Sequence, residues 1–250
     1  MPTTSNRRIT TVVAAGALSL GLGAALVPAA ASAAPATAAP AVTAPGRLRD
    51  LDVLRARCTE AIHVRLTALE RATGALAAAR HVTDDHETAQ SASLTAAATG
   101  LSELEDVIAA ETDAATLAAH CHSIVSDFRV FALRVPQTHL VIAGDGASHA
   151  VSTLLGLVPR LTEAVGRAEA AGTDVTAAKA ALDDLGTTLA HAAGLVDGLA
   201  DGVIGLTPAD YNADHGVLDE ARAAVRGAAA DLRTARTNVK AIVAILQGAR

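Results

Sequence analysis

A chain of 250 residues has room for one large domain or two small ones, and 51% hydrophobic residues supply ample material for a core. Only three residues are aromatic (Phe128, Phe131 and Tyr211), so the core is built from Ala, Leu and Val and lacks the aromatic lining usual in ligand pockets. A net charge of −6 argues against a general nucleic-acid binder.

The first 33 residues read as a secretory leader. Arg7 and Arg8 supply a positive start, TTVVAAGALSLGLGAALV an apolar stretch, and Ala31–Ala33 (ASA) a small-residue cleavage site. The alternative is an uncleaved membrane anchor, because the apolar run is slightly long. Thr10 and Thr11 stand where a twin-arginine signal wants apolar residues, and no cysteine follows the cleavage site to take a lipid. Cleavage removes two arginines and no acids, which moves the charge from −6 to −8. The mature chain is expected to be secreted or extracytoplasmic, with no membrane span of its own. Residues 34–46, APATAAPAVTAPG, form a Pro/Ala/Thr linker that buries no core.

From Leu48 on, apolar residues recur at spacings of three and four, with no sustained alternation, which predicts helix throughout. The first predicted helix runs from Leu48 to Arg80 on Ile62, Leu69 and Leu76. A capping box at Asp84 and Glu87 opens the second, carried by Leu94, Ala97, Leu101, Leu104 and Ile108. The third follows Thr112, with Leu117, Cys121, Ile124, Phe128, Phe131 and Val135 inward. In the fourth, Leu140, Ala147, Val151, Leu154, Val158, Leu161 and Val165 face inward, and Pro159 should bend or divide it. Gly172 stops that helix and Thr173 caps the fifth, with Val175, Leu182, Leu185, Leu189, Val196 and Leu199 inward. Thr207 and Pro208 open the sixth. Its Leu218, Val225, Leu232, Val239 and Leu246 fall seven apart, and Ala221, Ala228, Ala235 and Ile242 lie three residues after the first four. This is a coiled-coil-like seam with alanine at most second positions, suited to close antiparallel packing.

The seam of the third helix would continue through Thr138, Ile142, Asp145 and His149, three of them polar. The fourth helix instead uses Leu140, Gly144, Ala147 and Val151, two residues out of phase. Pro136 sits at the break and disfavours a helical Val135. The expected fold is therefore all-α: long antiparallel helices in two consecutive three-helix units, residues 47–135 and 137–250, with the two Phe side chains filling the end of the first core. One compact six-helix bundle, with Pro136 merely a turn, is the alternative.

At about 1.5 Å per residue, Cys58 lies roughly 33 Å before the end of its helix. Returning along the second helix and up the third to Cys121 leaves a net travel of roughly 27 Å. The pair should thus stand at nearly one height, and two cysteines in an exported chain favour a disulfide. The same antiparallel arrangement brings Glu103, Glu105, Asp106 and Glu111 beside Arg47, Arg49, Arg55 and Arg57.

Little points to catalysis or a cofactor. No two of the nine histidines are spaced for one helical metal pair, and EAIH at Glu60–His63 has no second copy to complete a di-iron bundle. The histidines of HCH at His120–His122 read as surface groups flanking a core cysteine. LVIAGDGASHA, residues 140–150, imitates a phosphate loop but has His149 where the third glycine belongs, and no parallel-sheet context. His120, Asp127 and Arg134 fall on one stripe without a nucleophile. No metal or cofactor is expected. One surface is less ordinary: Arg222, Arg226, Arg233, Arg236 and Lys240 share a face of the last helix. It offers a basic ridge to an acidic protein or an anionic envelope polymer, unless Asp174, Asp183, Asp184, Asp197 and Asp201 of the fifth helix neutralise it from within.

In the leader, RARCTEAI, the DFRVF…VPQTHLVIA region and LTPADYN, the chain resembles the alanine- and arginine-rich exported helical proteins of high-GC Gram-positive bacteria. That resemblance covers most of the mature chain and implies no activity. Tandem three-helix units are also similar in architecture to spectrin-like repeats, whose tryptophans are absent here. The expected function is that of a non-enzymatic helical scaffold or interaction protein, with a small-molecule or metal-binding helical sensor as the alternative, its site in the His-rich first unit.

Overall fold

The three-and-four spacing of apolar residues becomes helix along almost the whole of residues 44–248, which the computed structural model describes; they contain no strand. The leader and nearly all of the linker lie outside these residues. Helix α1 spans Ala44–Ala77, so it begins inside the expected linker, with Pro45 in the first turn where a missing N–H costs nothing. Helix α2 is Asp84–Ala110 and α3 is Ala114–Ser126. Thr83, not Asp84, caps α2, its side chain accepting from the His86 N–H.

A five-residue π-helical turn, Val130–Arg134, follows α3 and leads without a break into α4, Val135–Leu155. Val135 is helical, contrary to the expectation from Pro136. In the wider turn, the N–H groups of Arg134 and Val135 reach back five residues, to the carbonyls of Arg129 and Val130. The looser ring gives room to a proline that would crowd an ordinary helix. Arg129 enters the turn with φ 44°, in the left-handed region.

Helix α5, Val158–Ala170, is cut from α4 at Pro159 as expected. Helix α6 is Thr176–Val196, capped at Val175 rather than Thr173, with the Asp174 side chain accepting from the Thr176 N–H. Thr207 and Asp210 form a reciprocal capping box, but it opens a short helix rather than the last one. That short helix, α8 (Pro208–Ala213), follows the equally short α7 (Leu199–Ile204) and precedes α9, Asp219–Gly248.

Three adjoining apolar clusters hold these helices together. The first is built on Ile62, Leu69, Leu94, Leu101, Ile108, Leu117 and Ile124, from α1, α2 and α3. A second joins Val151 and Val165 to Leu185, Leu189, Leu232, Ala235 and Ile242. Between them lies a third, of Leu133, Leu140, Val141, Leu199, Val203 and Leu218. Helix α4 serves all three: Val135 and Ile142 pack on the first, Leu140 and Val141 belong to the third, and Val151 to the second. Helices α6 and α9 run antiparallel, as the pairs Asp184–Asn238 and His191–Asp231 show. The alanine positions Ala228 and Ala235 of the α9 seam are fully buried, which lets two backbones approach closely.

Cys58 and Cys121 are at disulfide distance, with Cα atoms 5.5 Å apart, tying α1 to α3 at one height. Arg55 crosses to the end of α2, where it donates to the carbonyls of Ile108 and Glu111 rather than to an α2 carboxylate, while its Nη1 pairs with Asp52 on its own helix.

The two phenylalanines part company. Phe128 packs against the first cluster, whereas Phe131 is 51% exposed beneath the Arg65 guanidinium. The π turn accounts for this, since it rotates the chain so that Val130 and Leu133 take the inward positions. Phe128→Ala should cost about 2 kcal/mol, less than a fully buried Phe, while Phe131→Ala should stay within about 1 kcal/mol. Urea unfolding of the two variants checks this, and equal losses would contradict the assignment.

Candidate functional site

Two features stand apart from an apolar bundle: a stripe of polar side chains along α4, and the basic ridge of α9. The stripe is the supposed dead end of the third seam. Thr138, Ile142, Asp145 and His149 share one face of α4, which turns toward α2 and the segment before it. Thr138 is fully buried, and its hydroxyl accepts from Gln90 Nε2 at 2.8 Å and donates to the Arg134 carbonyl at 2.9 Å. His149 stacks on His81, with ring centroids 3.9 Å apart.

Asp145 is the hub. Its side chain is 7% exposed; it accepts from the Thr83 N–H at 3.0 Å and lies 2.8 Å from His86 Nδ1. The other ring nitrogen, Nε2, lies 3.1 Å from Asp201 on α7. Only the imidazolium can donate to both carboxylates at once. The hydrogen bond to Asp145 therefore raises the His86 pKa above that of an ordinary histidine; partial burial opposes the shift and Asp201 adds to it. The three residues clasp α2, α4 and α7. At Gly144, beside Asp145, α7 lies close against α4: a Cβ there would stand 2.9 Å from Leu199 Cδ2. The apparent phosphate loop is thus helix, its glycine serving packing and its aspartate the clasp.

Two to three turns before Asp145, Gln137 and Arg134 secure the loop after α7. Gln137 is fully buried, and its Nε2 shares its two hydrogens among the carbonyls of Val203, Ile204 and Leu206, at 2.6, 3.1 and 3.1 Å, at the end of α7 and just beyond it. Arg134 Nη1 donates to Ser93 Oγ at 2.7 Å and to Gln137 Oε1 at 3.2 Å. Burial lowers the Arg134 pKa. Arg134 Nε and Gln90 Oε1 are buried without a hydrogen-bond partner. Nearby, Asn212 of α8 donates to the Ser126 carbonyl and accepts from Arg129, whose guanidinium lies 5.4 Å from the Tyr211 ring centre. Two motifs far apart in the sequence, DFRVF and LTPADYN, thus meet here.

On α9, Arg226, Arg233, Arg236 and Lys240 are exposed, and none forms an ion pair with a described residue. Arg222 pairs with Asp219 on its own helix. Three of the five acids expected to neutralise the ridge have other partners: Asp184 accepts from Asn238 of α9, Asp201 meets His86, and Asp174 accepts from the Thr176 N–H; Asp183 and Asp197 form no ion pair with a described residue. From Arg222 to Lys240 the ridge spans 19 residues, a rise of about 27 Å.

The remaining sequence candidates are not brought together. His120 lies 3.7 Å from Glu111, Asp127 accepts from Ser126, and Arg134 turns to the joint. His63 of EAIH meets Glu105 at 2.7 Å. Among the described residues no three His, Cys, Asp or Glu side chains are grouped to hold a metal. Sequence reasoning missed the Asp145 hub; its only signal was a polar row, Thr138, Asp145 and His149, continuing an apolar seam.

The run Ala114–Ala170 is long and apolar enough, by length and composition, to cross a membrane. The same run forms α3, the π turn, α4 and α5, and carries buried Gln137, Thr138 and Asp145 in contact with other helices. Fold and site define an all-α helical bundle with a polar waist and a basic edge. Comparison with family models, with curated proteins and with solved structures finds no match.

Proposed function

We propose that this is an exported, non-enzymatic helical interaction protein whose working surface is the α9 ridge, and that its partner is an anionic envelope polymer. The observation that carries this is the row Arg226, Arg233, Arg236 and Lys240, exposed and unpaired with any described carboxylate. In a chain of net charge −6, such a row is a local exception that a repeating anion can match. The leader-like first 33 residues and the cysteine pair at disulfide distance support export.

Titration with long-chain inorganic polyphosphate tests the proposal. Binding should weaken steeply between 50 and 200 mM salt, as counterion release requires for several contacts. Arg233→Glu with Arg236→Glu should weaken it at least about tenfold without lowering the Tm. Equal binding by that variant would overturn the proposal. Capture by anionic vesicles but not by polyphosphate would replace the polymer with a membrane surface.

A further inference from the structure

On the far side of α9 from the basic ridge, α6, α7 and α9 enclose an open cleft of about 570 Å³. Its walls are aliphatic: Leu195, Leu199, Val203, Leu206 and Val217. Three glycines, Gly194, Gly198 and Gly202, keep the space open. A Cβ built on any of them meets nothing within 4 Å, so side chains would fit there but none is supplied. Gly198 has a second reason to be glycine, because it opens α7 with φ 62°.

Two acids, Asp197 and Glu220, are the only charged residues on the lining. Both are exposed, and neither forms an ion pair with a described residue. The nearest basic residues of α9 point elsewhere: at about 100° per residue, Arg222 lies more than a quarter turn from Glu220, Ala223 and Ala224, and Arg226 more than a quarter turn from Glu220 and Ala224 and about 60° from Ala223. Arg222 is moreover held by Asp219. A volume within the range of small-molecule sites, an aliphatic wall and a rim of unpaired carboxylates together select one kind of guest.

We infer that this cleft is a binding site for an amphiphilic amine, its apolar body against Leu199, Val203 and Leu206 and its ammonium group between Asp197 and Glu220. The site is separate from the ridge, so its fate does not bear on the ridge proposal. A cation meets two carboxylates at the rim, whereas an anion of the same shape meets the same apolar wall and is repelled. Discrimination by charge between matched molecules is therefore the signature.

The probes are 4-phenylbutylamine and 4-phenylbutyrate, which share a body and differ in the sign of their charge, followed by ligand-observed NMR on the intact protein. The amine should bind saturably and at least about tenfold more tightly than the acid, the effect of roughly 1.4 kcal/mol. Asp197→Asn with Glu220→Gln should bring the two within about threefold of each other. Gly202→Leu, which fills the cleft without a close contact at its Cβ, should abolish amine binding while the Tm holds; if that variant does not fold, Gly194→Leu on the neighbouring helix is read in its place. Absence of saturable amine binding, equal affinity for amine and acid, or undiminished binding by the folded leucine variant would each overturn the site.

Discussion

Replacing both cysteines, Cys58→Ala with Cys121→Ala, should lower the free energy of unfolding by up to about 4 kcal/mol in the chain-entropy model. The residues are separated by 63 positions, so the bond closes a loop containing all of α2 and most of α3. Opening that loop restores freedom mainly to the unfolded chain. A smaller loss comes from the native side, because Cys58 is only 5% exposed and alanine leaves its volume unfilled. Urea midpoints of the oxidised protein, the reduced protein and the double variant measure the two parts separately. Reduced and oxidised protein unfolding at one midpoint would mean that the cysteines are close but carry no stability. As a bundle made of small side chains, this protein should depend on the link more than an aromatic-rich one would.

Asp145→Ala should cost about 2–3 kcal/mol, because it takes the acceptor from the Thr83 N–H and from His86 together. The clasp also makes stability depend on pH. A histidine whose folded-state pKa is raised stabilises the fold fully below its unfolded value, about 6.5, and loses that contribution as pH rises through the folded value. Wild-type Tm should therefore decline from about pH 6.5 upward more than that of His86→Gln, in which nothing titrates at this position. Other acids in the same first turn, Asp84, Asp85 and Glu87, remain in both proteins and drop out of the comparison. Parallel Tm profiles would show that His86 is a neutral hydrogen-bonding spacer and not the charged member of a clasp.

What the sequence made legible was whatever depends on near neighbours. Heptad spacing located Leu94, Leu101 and Ile108 in the first core, and Leu232, Ala235 and Ile242 in the second, because helical geometry alone sets those faces. Helix lengths alone brought Cys58 to Cys121. Pro159 divided a helix and Thr207 capped one through strictly local chemistry. The polar waist was illegible for the opposite reason. Thr138 and Asp145 look like a solvated edge until Gln90 and His86 arrive from 48 and 59 positions away. Nor does the basic ridge announce whether it is neutralised; that depends on where Asp184 and Asp201 spend their carboxylates. Phe131 was misplaced by the π turn, which no apolar spacing reveals.

That turn, Val130–Arg134, has a consequence for everything after it. A π turn carries one residue more than an α-helix needs for the same advance, so it offsets the azimuth of the following helix by about 100°. Deleting a single residue such as Ala132 should restore regular winding with the faces of α4 left where they are, whereas regular winding with all five residues kept would rotate α4 by about a quarter turn. In that second case Asp145 would swing away from His86, and Gly144 away from Leu199. The turn acts as a vernier: by absorbing one residue it lets a single helix keep Val135 and Ile142 on the first cluster, Leu140 and Val141 in the third and Val151 in the second.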